Sequence, residues 1–463
     1  MKRAALVVLG LLWASLLWPK SPSAQMFLSN FRELTRQASS LYDEQGSALW
    51  GGPLPAVRWM AVERNDLILT EDPKLPAFRH TKGLWVGPRP RSLAVATTAT
   101  QFAGKTWAMI LASDFPHQAV RALHLLLREG WHSIEDSVLP SALPQGEPTE
   151  LLDEPEGRLW LRLEVEALAR GLDCTGEQRL EDFEAALTFR AERYQLADAG
   201  ERQWERTLDV REGVAEYMAW KLPPREDRTA ELAATIRRRL DTSQSYVRSF
   251  AYMTGPAYGF LMDDLAKGWR QSLLLMPAPD LQLLAADQIM GAKALVSRAL
   301  AGGDLTAREK ETLRSRADEL GLSFGIQGIK KEEEARWARM SAEREALQKQ
   351  FTAGTTLRIC PRDMRIVFDP NHQIAMGKLG TCYTGAFSWQ SPEGSLTSDG
   401  AVLVTPDWHE LWLPLGREAV TPGSLDHPLH LVGKGWTLDL GPGWTLRREA
   451  GAIIAEPPSL KSS

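Results

Sequence analysis

The spacing of apolar positions changes twice along the chain and divides it into three parts. From about residue 47 to 112, short β-rich runs alternate with Gly and Pro breaks: Val57–Val62, Leu67–Thr70, Leu84–Val86, Leu93–Ala96 and Trp107–Leu111. They predict a small sheet ahead of a long helix over Phe115–Asp136, with Asp114 as N-cap and Pro116 in the first turn. On that helix Val120, Leu123, Leu127, Trp131 and Ile134 form an apolar stripe, and His117, Arg121, His124, Arg128, His132 and Glu135 fall on an adjacent polar one. Helical spacing then dominates residues 157 to 325, in segments that include 180–197, 205–222, 229–240 and 280–300. A charge-rich helix over 330–350 reads as a solvated spacer. From Thr355 the period becomes that of strands: 357–360, 365–368, 401–405, 410–414, 436–440 and 451–455.

The predicted class is therefore α+β, with an N-terminal sheet, a mainly helical core and a C-terminal β-barrel or sandwich module. The expected boundaries are 25–114 for the β-rich region, 115–328 for the core, 329–351 for the connecting helix and 352–463 for the β module. Residues 1–24 read as a signal peptide: Lys2 and Arg3, an apolar run from Ala4 to Trp18, then small residues up to Ala24. That run is short for a membrane span, so the expectation is an exported protein, periplasmic or extracellular, with no span after cleavage.

The 463 residues carry a formal charge of -5, with no basic footprint for nucleic acid. Three cysteines cannot all pair; for Cys360 and Cys382, in the same strand-rich region, a bridge and two buried thiols are both open. Of the 17 tryptophans, five (Trp389, Trp408, Trp412, Trp436, Trp444) lie in the β module, where exposed rings would make a glycan platform and buried ones a core.

The segment His124-Leu-Leu-Leu-Arg128-Glu129-Gly-Trp-His132 keeps the Glu and second His of an H-E-x-x-H zinc helix, with Arg128 in the place of the first His. An intact motif sets two imidazoles on one metal and a Glu beside the metal-bound water. A guanidinium has no free lone pair and stays charged, so it does not ligate. His124 lies two turns from His132, about 12 Å along the axis, too far to substitute without distorting the helix. Further on, Glu205, Asp209, Glu212 and Glu216 share one helix face, which by itself reads as a solvated acidic surface.

Arg211-Glu-Gly-Val-Ala-Glu-Tyr217 resembles the E-G-x-A-x-Y segment of gluzincin aminopeptidases. With Arg128–His132, Glu156–Glu164, Ala185–Arg190 and Ser249–Tyr258, it makes the chain similar to exported bacterial proteins with a gluzincin-like core. The resemblance implies Glu129 as general base, His132 and Glu212 as zinc ligands, and Glu216 as a supporting carboxylate. It also implies Tyr252 and Tyr258 as candidate oxyanion-stabilising phenols. Two departures stand out: the arginine, and an interval between His132 and Glu212 far longer than in the aminopeptidases. The expected function is an exported zinc-metallopeptidase-like protein with an impaired or lost zinc site. In it Arg128 would neutralise Glu129, Glu212 and Glu216 in place of the ion. The alternative is a non-catalytic protein that holds a peptide, a protein or a glycan on the same scaffold.

Overall fold

The computed structural model describes residues 22–90, 92–139, 150–362, 364–369, 372–416, 420–449 and 451–458; residues 1–21 of the predicted signal peptide, and Pro140, lie outside them. The described chain is α+β and divides into two compact units between Gln327 and Gly328, with Ser243–Ser245 grouped with the second.

The first unit opens on a helix, Pro22–Leu41, that the β-rich reading of 25–114 does not include. A six-stranded sheet follows: β1 Trp59–Glu63, β2 Asp66–Leu69, β3 Arg79–Thr81, β4 Leu84–Pro88, β5 Thr98–Phe102 and β6 Lys105–Leu111. Its order is β3-β4-β2-β1-β6-β5; only β1 and β6 run parallel. The near-continuous apolar runs of β1 and β6 take central places, as strands covered on both faces do. Leu93–Ala96, expected as a strand, is a loop that begins with a turn from Pro90 to Leu93. The strand forms instead at β5, because Ala103 and Gly104 both adopt positive φ and close a tight hairpin onto β6. β5 is a sheet edge, paired on one side only.

The predicted long helix is Ala119–Val138, starting four residues late. Phe115 packs edge-on against Phe27 and Phe31, and Asp114 accepts a hydrogen bond from Thr97 Oγ1, which hold that stretch in a loop. His117 therefore precedes the helix, and Val120 is exposed instead of joining the apolar stripe. Leu123, Leu127, Trp131 and Ile134 are buried as expected. Gly130 seats this helix on the sheet, since a Cβ there would lie 2.6 Å from the Trp59 indole.

The stretch predicted as one helix over 205–222 is two helices, Ala199–Leu208 and Val214–Lys221, joined by a π-turn over Asp209–Gly213. The 280–300 stretch likewise breaks into Leu281–Ala286, a π-turn and Leu295–Leu300, with Gly291 left-handed at the break. The Ala251–Leu265 helix carries Gly255 against Gly213: a Cβ on Gly255 would meet the Gly213 Cα at 2.1 Å. This backbone-to-backbone contact fixes the π-turn.

In the second unit an eight-stranded and a five-stranded sheet face each other across one core containing Leu357, Trp389, Leu396, Leu413, Trp436 and Trp444. Neither sheet closes into a barrel, so of the two expected architectures the sandwich is the one formed. The expected spacer helix, Ile326–Thr352, is largely exposed but ends with Leu347 and Phe351 packed against Cys382, Leu403 and Trp412. Cys360 and Cys382 are unpaired. Cys360 follows strand Thr356–Ile359, and two strands separate that strand from the one bearing Cys382, roughly 14 Å at the usual spacing, beyond disulfide reach. Burial pushes the Cys360 thiol up to about 11 and the Cys382 thiol up to about 12, so both stay protonated and inert.

Candidate functional site

The Ala119–Val138 helix, the π-turn and the Ala251–Leu265 helix converge below β5 on a polar cavity of about 350 Å³. Arg128, Glu129, His132, Glu212 and Tyr252 all line it, with Thr97, Thr98 and Ala99 on the side of the sheet edge. The sequence candidates thus come together, despite the long interval between His132 and Glu212. Helices Pro155–Asp173 and Gly176–Tyr194 occupy that interval.

His132 is held at both ring nitrogens. Glu135 Oε2 lies 3.2 Å from Nδ1, and Glu212 Oε2 lies 3.4 Å from Nε2. Burial works against a charged imidazole, but the two carboxylates outweigh it and raise His132 to about 10, so it is an imidazolium at neutral pH. Glu212 also accepts a hydrogen bond from Tyr252 Oη at 2.8 Å. Burial pushes its carboxyl up, yet His132 and Tyr252 hold it below the usual range. Burial and the neighbouring Glu212 raise the Tyr252 phenol, which remains a donor.

Arg128 bends back to Glu129. Its Nη2 and Nε donate to Glu129 Oε1 at 2.7 and 3.0 Å. Burial still raises the Glu129 carboxyl, with Arg128 and His132 opposing. The guanidinium carbon is 5.6 Å from the centre of the Tyr252 ring, and Glu216 and Glu212 both feel the charge. Arg128 is therefore a permanent cation acting on three carboxylates, the third of which, Glu216, it shares with Arg239.

Glu216 and His124 belong to a shell beneath the cavity. Glu216 is buried, and its Oε1 receives His124 Nε2 at 3.1 Å, Arg239 Nη2 at 3.3 Å and Trp220 Nε1 at 3.3 Å. Burial raises that carboxyl, but His124, Arg239 and Arg128 outweigh burial and hold it at about 2. Tyr258 lies elsewhere: it donates to Glu164 Oε1 at 3.0 Å in the interior, so it faces no ligand in the cavity.

The acidic face expected to be solvated is buried instead. Glu205 and Asp209, with Glu164, surround Arg190 and Arg193, all five fully buried. Three carboxylates against two guanidinium groups leave one charge over, and burial, partly offset by Arg190, raises Asp209 to about 6. Asp209 opens the π-turn that presents Glu212, so this ionic cluster anchors the cavity wall from behind.

Glu135 and Arg211 also belong to the site: Arg211 Nη1 reaches Glu135 Oε1 at 2.8 Å, and Glu135 in turn orients His132. The spacing of Glu135 three residues after His132 is the signal that places it on the same helix face. Arg211 has no such signal.

The donors do not fit the zinc ion that the motif resemblance implies. One imidazole and Glu212 converge, but the third position holds a guanidinium, and His124 on the same helix is committed to Glu216. No group of three His, Cys, Asp or Glu with metal-holding geometry occurs among the described residues. Comparison with protein families, with curated proteins and with solved structures finds no match to the chain.

Proposed function

We propose that the protein is an exported relative of zinc metallopeptidases in which the Arg128 guanidinium has taken over the electrostatic work of the metal, leaving a cleft that holds a peptide without hydrolysing it. The arrangement of Arg128 carries this reading: a fixed cation bonded to Glu129 and within electrostatic range of Glu212 and Glu216, in a cavity whose one imidazole is already an ion-paired cation. Glu129 is tied to the guanidinium through two hydrogen bonds to Oε1, which occupy an oxygen a general base would use.

The free edge of β5 above the cavity supports an extended peptide as the ligand. Backbone groups on an unpaired edge add a strand at little cost in specificity, and side chains of alternate ligand residues then point into the adjacent pocket. Metal analysis of the purified chain, followed by binding and cleavage measurements on a positional-scanning peptide library, tests the proposal. Zinc well below stoichiometric, saturable peptide binding and no cleavage are expected, with Ala99→Trp filling the cavity and abolishing binding. One zinc per chain, or cleavage lost in Glu129→Gln, overturns it. Arg128→His, which restores the second imidazole, is expected to gain zinc.

A further inference from the structure

The five-stranded sheet of the second unit places a row of aligned side chains on the face opposite its core. Register fixes the row: Val367 pairs with Ser388, Ser388 with Thr397, Thr397 with Thr437 and Thr437 with Val432. Each of the five comes from a different strand, and their neighbours Phe387, Trp389, Leu396, Trp436 and Leu438 point into the sandwich core. The row lines an open groove of about 740 Å³.

Its chemistry is that of neutral hydroxyls between apolar ends. Three hydroxyls stand in line, with no hydrogen-bond partner among the described residues for Ser388, Thr397 or Thr437. The valines at the two ends, on the edge strands, are 74% and 62% exposed. No lysine or arginine lines the groove, and its charged members are Asp369 and Asp399. The Asp399 carboxylate is exposed and, among the described residues, unpaired.

From this row we infer a second binding site, for a neutral β-linked glycan lying across the strands. Successive strands place one hydroxyl every 4.7–4.9 Å or so, close to the rise per ring of a β-1,4-linked pyranose chain, so consecutive sugars meet consecutive strands. The hydroxyls and the Asp399 carboxylate exchange hydrogen bonds with sugar hydroxyls, while Val367 and Val432 take the apolar ring faces. The carboxylates and the lack of a cation disfavour polyanions, nucleic acid among them. An extended peptide pairs along a strand edge, and its backbone has no ladder partner in a direction across the strands. Of the tryptophans for which platform and core were both open, Trp389, Trp436 and Trp444 are core; hydroxyls, not indole rings, form this recognition surface.

Calorimetric titration of the full chain with cellohexaose and chitohexaose, with a hyaluronan hexasaccharide as the anionic control, tests the inference. At least one neutral hexasaccharide is expected to bind one to one, protecting the peptides that span 386–398 and 429–437 from hydrogen exchange. Ser388→Ala/Thr397→Val/Thr437→Val is expected to weaken binding at least tenfold with an unchanged melting temperature. The single exposed change Thr397→Lys, which blocks the middle of the row, is expected to do the same. Absence of binding by both neutral sugars at millimolar concentration overturns the assignment. So does undiminished binding by Thr397→Lys, or equal affinity for hyaluronan. Each outcome is independent of the cleft below β5.

Discussion

Replacing Arg128 by Met keeps the length and apolar stem of the side chain and deletes only its charge and donors. Glu129, whose side chain is 4% exposed, then loses two hydrogen bonds of 2.7 and 3.0 Å and its counter-ion. Stranding one member of a buried pair costs about 3–5 kcal/mol. Arg128 is itself 26% exposed, and screening on that side reduces the loss to about 2–3 kcal/mol. At roughly 2 °C per kcal/mol for a unit of this size, the melting temperature falls by about 4–6 °C.

The pH dependence gives the sharper test. Burial already raises Glu129 above its unfolded value, and without Arg128 it rises further. An acid whose folded pKa is raised lowers stability as pH climbs from the unfolded towards the folded value, because the unfolded chain releases its proton first. The deficit of Arg128→Met is therefore large at pH 8 and shrinks as Glu129 takes up a proton on acidification. Differential scanning calorimetry from pH 4.5 to 8, on Arg128→Met and on Arg128→Met/Glu129→Gln, measures it. The double variant recovers most of the loss, since no charge is left unpaired. A deficit independent of pH, or one that Glu129→Gln fails to relieve, refutes the assignment of Arg128 as the cation that balances the cavity.

Other expectations follow from the same geometry. His132, raised to about 10 from 6.5, contributes stability that is complete below pH 6.5 and lost as pH rises through 10; urea unfolding of His132→Gln should show a flatter profile over that window. Gly255→Ala drives a Cβ into the backbone of Gly213, where no side chain can swing aside, so it should lose about 3 kcal/mol or more and disturb Glu212; melting temperature and peptide affinity should fall together. All three cysteines should titrate as free thiols in denaturant without reductant, and native Cys382 should resist alkylation at pH 8; a disulfide-linked peptide in a non-reducing digest would show the strand separation to be wrong.

Class, strand-rich ends, helical middle and the approximate place of the Ala119–Val138 helix were legible as periodicity, because burial imposes a repeat of two on strands and 3.6 on helices. Residues with a chemical reason to converge were legible too: Arg128, Glu129, His132 and Glu212 share one cavity. Local pattern failed where contacts distant in sequence prevail. The π-turn over Asp209–Gly213 rests on a glycine pair formed with another helix, and the acidic face became an interior because Arg190 and Arg193 arrive from a neighbouring helix. No helical wheel of residues 205–222 contains those arginines. Tyr252 and Tyr258 lie on one helix and are alike in sequence, yet the first faces the cavity and the second the core, a matter of packing alone.

The sequence by itself determined that position 128 carries a permanent cation that does not ligate a metal, since ligation is a property of the side chain. The tertiary structure decided what that arginine does. Only folding brings Glu129, Glu212 and Glu216 within its field and lets Glu135 and Glu212 claim both nitrogens of His132, because charge balance depends on distance in space and on exclusion of water.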